Sequence, residues 1–449
     1  MSHLAGESES SRLGLDFDRR VKLEFQGCRI SSDGGLLLFR ELDDACGLLE
    51  FAGTKLHDPR RGHNRLHCVK ALLRQSVFGR LAGYEDVNDA DRLSRDPVMR
   101  QIVGGRAVHH QAASASQMGR FEKDVLARDE NHAALADLPG QWIDQFNSHA
   151  PLKFIVLDMD SSVSPTHGTQ EGAAWNGHFG CMCYHPLFVF NQFGQMERCA
   201  LRHGNVHSAD DWEAVLKPVI ARYDGRDMLR FFRADAAFAI PALYEFLEAK
   251  DYHYAIRLKS NDVLRSKIAH LLKRPVGRPP NHIQRFYGDI TYQAASWDTS
   301  RRVVAKVEWH PGELFPRVGF VVTNLPFSAE EMLQFYNQRG TAEQHIKEGK
   351  HAINWTRLSC QNFRHNQVRL QLHALAYNLG MFFQSIDLPE EIKGWSLTSL
   401  QTQLIKIGAR VVHHARTITF QLAEVAVSGK LFGQILKAIA QLRCQPVPT

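Results

Sequence analysis

Tyr336, Arg339, Glu343 and Lys350 are four unlike polar residues at helical spacing. At about 100° per residue, the last three fall within roughly 60° of Tyr336, so a single helix would present all four on one side. Met332, Leu333 and Ile346 share that arc, whereas Asn337, Thr341, His345 and Glu348 fall on the opposite, wet side. Glu343 is therefore expected to point inward and Glu348 outward. Ser328 with Glu331 three residues on reads as a capping box that starts the helix just after Pro326. On a solvated face, Arg339 and Glu343 would form an ordinary pair worth roughly 0.2–0.5 kcal/mol. An inward carboxylate is costly unless it is paired or metal-bound, and this one calls for companions elsewhere in the chain.

The elements that would supply them follow in order. Residues 29–106 read as helices separated by turn signals, and residues 67–81 are amphipathic and basic, with Lys70, Arg74 and Arg80. The acids between Glu85 and Asp91 suit a helix start, with metal binding as the sharper alternative. Further helix runs to Phe146. After Pro151 the texture changes: residues 154–160 are apolar on both faces, as in a central strand, and Asp158 and Asp160 project from one face. Strands follow at 186–190 and 196–201, a helix at 210–223, a strand at 228–235, a helix from Pro241 to 250 and a strand at 252–259. Residues 286–325 alternate like short strands at 290–293, 302–309 and 318–323. Everything after Asn354 reads as helical, and no internal repeat is present.

With the β interruption removed, this is a ribonuclease-H-like order. The expected fold class is α/β: a mixed sheet flanked by helices, with a β-strand insertion before the last catalytic helix and helical N- and C-terminal regions. The expected units are a helical region at 1–150, the core in two parts at 151–260 and 328–380, the insertion at 261–327 and a helical region at 381–449.

Composition bounds the partners. The chain has 449 residues, 44% of them apolar, enough for more than one core. Its net charge of +6 permits a polyanionic partner without demanding one. Between residues 255 and 285 the bases Arg257, Lys259, Arg265, Lys267, Lys273, Arg274, Arg278 and Arg285 face one acid, Asp262. Nucleic acid is the commoner partner of such an arginine-rich run. The eight cysteines include no Cys-x-x-Cys pair, which argues against a zinc site or a disulfide framework. No apolar run approaches the roughly 18 residues of a membrane span, and the start lacks a signal-peptide pattern, so a cytoplasmic setting is expected.

Asp160 ends the first core strand, Asp235 ends the fourth, and Glu343 lies on the inward arc of the helix. Singly, an Asp at a strand end is a turn residue or a helix cap. Together, at positions that converge in such a fold, the three repel one another and imply a divalent cation, most simply Mg²⁺ with Mn²⁺ as a substitute. Two such ions about 4 Å apart would clamp the attacking and leaving oxygens of a phosphoryl displacement.

The spacing of Tyr336, Arg339, Glu343 and Lys350 resembles the signature of bacterial insertion-sequence transposases of the DDE class. Matches also run through Asp160-Ser161-Ser162, Arg233-Ala234-Asp235, Tyr254-Ala255-Ile256-Arg257, the segment from His167 to Gly172, the helix from Asn366 to Asn378, and Gly408-Ala409-Arg410. The resemblance implies that Asp160, Asp235 and Glu343 bind the metal, with Asp160 favoured over Asp158 because two hydroxyl residues follow it. It makes Tyr336, Arg339 and Lys350 phosphate contacts, to which the basic run adds Arg257 and Lys259. It also implies double-stranded DNA as partner, at terminal inverted repeats and target, and a homodimer on paired ends. A non-catalytic DNA-binding derivative and a simple metal nuclease of the same fold are the rival readings. Trp297 and Trp309 could stack on a flipped base or merely pack the hairpins. Gly277-Arg278-Pro279 resembles a minor-groove hook.

Overall fold

The octet Phe-Ile-Val-Leu-Asp-Met-Asp-Ser forms the central strand β1 (Phe154–Ser161), whose two faces serve different ends. Ile155, Leu157 and Met159 enter one hydrophobic core, and Val156, Asp158 and Asp160 lie on the other face. The computed structural model describes residues 29–61, 65–149, 152–274 and 281–444, with short pieces at 13–14, 17, 22–23 and 277. Arg278 and Pro279 of the supposed hook, and most of the first twenty residues, lie outside the described residues.

Beside β1 run β2 (Leu187–Asn191), β3 (Met196–Ala200), β4 (Leu229–Ala234) and β5 (His253–Leu258), in the spatial order β3-β2-β1-β4-β5. β2 is antiparallel to both of its neighbours, whereas β1, β4 and β5 are mutually parallel. The carboxyl ends of those three strands therefore open on one edge of the sheet. Helices α1 (Trp212–Tyr223) and α2 (Pro241–Ala249) make the crossovers that parallel pairing requires, and they bury Val215, Leu216, Leu243 and Tyr244 on the Ile155 side.

The β interruption does not form a separate layer. Its strands β6 (Gln284–Tyr292), β7 (Arg301–Trp309) and β8 (Arg317–Thr323) extend the same sheet to eight strands, with β8 antiparallel to β5. They are longer than alternation alone suggests, because paired neighbours extend them through Arg285 and Phe286, opposite Glu308 and Val307. Trp297 and Trp309 are buried, with Trp297 edge-on to Tyr244 and Tyr292. They pack the hairpins, as the plainer reading had it.

The signature segment is not one uninterrupted helix. Helix α3 (Ala329–Asn337) starts at the Ser328 capping box, and α4 (Gly340–Glu348) begins after a tightened turn at Gln338 and Arg339. There the N–H groups of Arg339 and Ala342 donate to carbonyls three residues back, and Gly340 weakens helical continuity. A π-helical turn, Gly349–Ile353, follows. This rotation changes the outcome for two acids: the Glu343 side chain is 57% exposed at the mouth of the site, and Glu348 is half-buried. His345, expected to be wet, packs on Phe190.

Helix α5 (Phe363–Ser385) is buried almost all round and forms the axis of the larger core. It also covers the sheet's open edge, where Gln371 donates to the Cys199 carbonyl at 2.9 Å and Asn378 bonds both N and O of Met196. The C-terminal region is not wholly helical. Strands β9 (Ala409–His414) and β10 (Thr417–Leu422) form a hairpin that pairs with Ile30–Ser31, before helix α6 (Gly429–Cys444). The β-branched residues Val411, Val412, Thr417, Ile418 and Thr419 favour it.

Candidate active site

Asp160 and Asp235 both lie where parallel strands end, and α3 and α4 cross that region on the Asp160 face of the sheet. Arg339 joins them. Its Nη2 lies 2.9 Å from Asp160 Oδ2, and its Nη1 lies 3.5 Å from Glu343 Oε1. Asp160 is buried, and its Oδ1 accepts from the Ser161 N–H at 2.9 Å. Burial first, and then the nearby charges of Asp235 and Glu343, push its carboxyl up to about 6 against the pull of Arg339.

Asp235 also does the plain work of a cap, since its Oδ1 accepts from the Ala237 N–H at 2.9 Å. Tyr336 and Lys350 belong to the same electrostatic neighbourhood. Burial raises the Tyr336 hydroxyl, with Arg339 and Arg257 opposing and Asp235 and Asp160 assisting. Burial lowers the Lys350 ammonium, with Asp160 opposing. The Arg339 guanidinium is disfavoured by burial, yet Asp160, Tyr336, Asp235 and Glu343 together hold it above its ordinary range. Its Nε is buried without a partner among the described residues.

Of the eight singled-out residues, Arg339 thus meets Asp160 and Glu343 directly, and Asp235, Tyr336 and Lys350 lie within electrostatic reach of Asp160. Arg257 stands next to them and, with Lys306, Arg317 and Tyr336, lines a groove of about 280 Å³ on the insertion side. Lys259, just past the end of β5, is exposed and is not among the groove's lining residues. Among the described residues, no group of three or more His, Cys, Asp or Glu is gathered closely enough to hold a metal ion. Asp160 and Glu343 share Arg339 instead, and Glu343 stands outermost. The donor chemistry nevertheless fits a hard cation: every candidate ligand atom is a carboxylate oxygen, and a divalent ion would offset both the burial and the neighbouring acids that raise Asp160. The acid-rich turn before Asp91 caps and pairs: Asp86 accepts from the Asn88 N–H, and Glu85 meets Asn354 and Arg357.

Residues 13–444 match the Transposase DDE domain group 1 family. The chain belongs to that family. This DDE transposase is also similar to a piggyBac transposase whose synaptic complex with hairpin DNA has been solved, with 12% identity and a TM-score of 0.42, over 84% of this chain and 80% of that one. No curated protein matches it. Among the described residues of the transposase, no helix is long and apolar enough to cross a membrane.

Two residues beside the candidate site were given no role by the reading of the sequence. Arg233 lies directly opposite Asp158 across the β4–β1 ladder and takes both of its carboxylate oxygens, at 2.7 and 2.6 Å. Asp158 is thereby occupied, and Asp160 is the acid facing Arg339. The signal was an arginine two positions before Asp235, but its register against β1 is not legible until the strands are paired. His185 is the second. Its Nδ1 meets the Val206 carbonyl at 3.1 Å, so that nitrogen carries the proton, and Nε2 accepts from Ser161 Oγ at 3.1 Å. It steadies the residue that follows Asp160.

Proposed function

We propose that this chain is an insertion-sequence DNA transposase that hydrolyses phosphodiester bonds at the element's ends and joins the freed 3′ hydroxyl to target DNA. It would use Asp160, Asp235 and Glu343 as carboxylate ligands for Mg²⁺ or Mn²⁺ in a ribonuclease-H-like core. The observation that carries this reading is the shared electrostatics of the three acids around Arg339, from elements far apart in the sequence. When bound, the ion supplies Lewis-acid activation of the attacking oxygen and neutralises charge at the scissile phosphate.

The chain's own residues do the rest. Arg339 has a buried Nε without a partner among the described residues, which a phosphate oxygen would satisfy. With Lys350, whose charge is already disfavoured by burial, it would stabilise the negative charge that develops in the transition state. The enclosed Asp160 side limits water, whereas exposed Glu343 leaves the site open for DNA to enter. Tyr336 and Arg257, with Lys259 beyond the strand end, would hold the phosphates next to the cut. The 1–150 region would bind the terminal repeats, and two copies would work on paired ends.

The test is incubation of the purified chain with DNA carrying the element's ends and Mg²⁺. Cleavage and joining by the wild type, both lost in Asp235→Asn while DNA binding persists, supports the proposal. Cleavage without joining would indicate a nuclease, and binding without cleavage a non-catalytic derivative.

A further inference from the structure

We propose that the buried Asp158–Arg233 pair positions the broken signature helix and, through it, aims Arg339 and Tyr336. This rests on the transposase reading above.

Arg233 and Asp158 face each other across neighbouring parallel strands, and their side chains are 4% and 3% exposed. Both carboxylate oxygens are taken by the guanidinium, so Asp158 has none left unpaired. The remaining nitrogen of Arg233, Nη1, leaves the sheet: it donates to the Phe335 carbonyl at 2.8 Å and reaches Gln338 Oε1 at 3.4 Å. The guanidinium carbon also sits 5.0 Å from the centre of the Phe335 ring.

Those contacts fall where α3 ends. In an unbroken helix, the Arg339 N–H would donate to the Phe335 carbonyl. Here it donates to Tyr336 O at 2.9 Å, and Arg233 serves the Phe335 carbonyl from below. A helix end supplied with a cationic donor is stabilised at its last turn. That turn sets the directions of Tyr336 and Arg339, one and four residues on. The strut thus ties β1, β4 and the helix break together within one turn of the arginine that meets Asp160.

A buried ion pair is a weak source of stability, because desolvating both charges offsets their attraction. Two well-packed apolar residues would serve a purely structural purpose as well. The orientation of a guanidinium fork that grips a strand acid and a helix carbonyl at once has no apolar substitute, and lysine lacks the fork.

The experiment uses the full chain with Arg233→Lys, and with Asp158→Asn alongside should the first not fold. Single-turnover cleavage of DNA carrying the element's ends is measured in the wild-type and Arg339→Ala backgrounds. The expected result is a fall of about 100-fold in the wild-type background, the scale of a misplacement near 1 Å. DNA affinity should change less than about three-fold, and cleavage should fall less than about three-fold further when Arg339 is already absent. No fall, or an equal fall in both backgrounds, overturns the proposal. If the wild type does not cleave, the functional reading fails instead, and amide hydrogen exchange then decides on the strut. Faster exchange confined to residues 335–345 in Arg233→Lys supports it, and unchanged exchange there overturns it.

Discussion

Asp158 and Asp160 stand two residues apart on one face of β1 and meet different arginines, and that difference separates their roles. Asp158 is locked by Arg233, whereas Asp160 meets Arg339 on the side of Asp235 and Glu343. Breaking the first pair leaves a buried guanidinium uncompensated, which costs about 3 kcal/mol or more. Asp158→Asn should therefore lower the thermal midpoint clearly. Asp160→Asn should lower it much less at neutral pH. The Asp160 carboxyl titrates above its unfolded value, so its charge withdraws stability as pH rises from 3.8 to about 6, and asparagine removes that cost. Calorimetry of both variants at pH 7.5 checks the order, and equal losses would contradict it. That Asp160 and Asp235 stand at strand ends was legible, because strand periodicity is local, whereas the side to which Glu343 turns was not, because the helix breaks at Gln338 and Arg339. The partner of Asp158 was not, because strand register is a property of the pair.

At the scale of elements, the core strands announce themselves by apolar runs bounded by turn residues, and β1 to β5 lie within two residues of where those runs place them. The β9–β10 hairpin does not, because its turn is Ala415-Arg416, with Ala415 at φ 52°, where a glycine or asparagine would have marked it. The break at Gln338 and Arg339 is nearly as quiet: both keep right-handed helical angles, and Gly340 after them is its one mark in the sequence. What holds α4 after that break is close packing. A Cβ on Gly194 would lie 2.2 Å from the His345 ring, and one on Gly349 would lie 2.1 Å from the Trp355 ring. Trp355 is buried against Phe188 and Tyr377 and has little room to retreat. Gly349→Ala should therefore cost about 1–3 kcal/mol by overpacking and displace Lys350 next to it. Urea unfolding together with the cleavage assay checks this: stability and cleavage should both fall, and a silent substitution would show that the π-helical turn can shift freely.

Over the whole molecule, the two ends of the chain share one core. Leu36, Phe39 and Leu42 near its start pack with Phe383 of α5 and with Ile435 and Ile439 of α6. Arg443 pairs with Glu41 and Asp44 across that seam. No local pattern reveals a contact between residues so far apart, so the separate helical regions read from the sequence carry no hint of it. The same core buries His373 completely, and burial, with Arg80 and Arg369 nearby, holds its imidazole well below 6.5. A histidine kept neutral in the fold contributes stability above 6.5 that is lost as pH falls, because only the unfolded chain then takes the proton. Thermal midpoints of the wild type should drop between pH 7.5 and 5, and His373→Gln should flatten that slope; an unchanged slope would remove His373 from the account. The central claim is that Asp160, Asp235 and Glu343 hold a divalent ion beside DNA. The most direct measurement is anomalous scattering from Mn²⁺ in crystals of the chain bound to DNA carrying the element's ends. The account predicts a peak coordinated by carboxylate oxygens of all three residues, and an ordered ion that touches neither Asp160 nor Asp235 would contradict it.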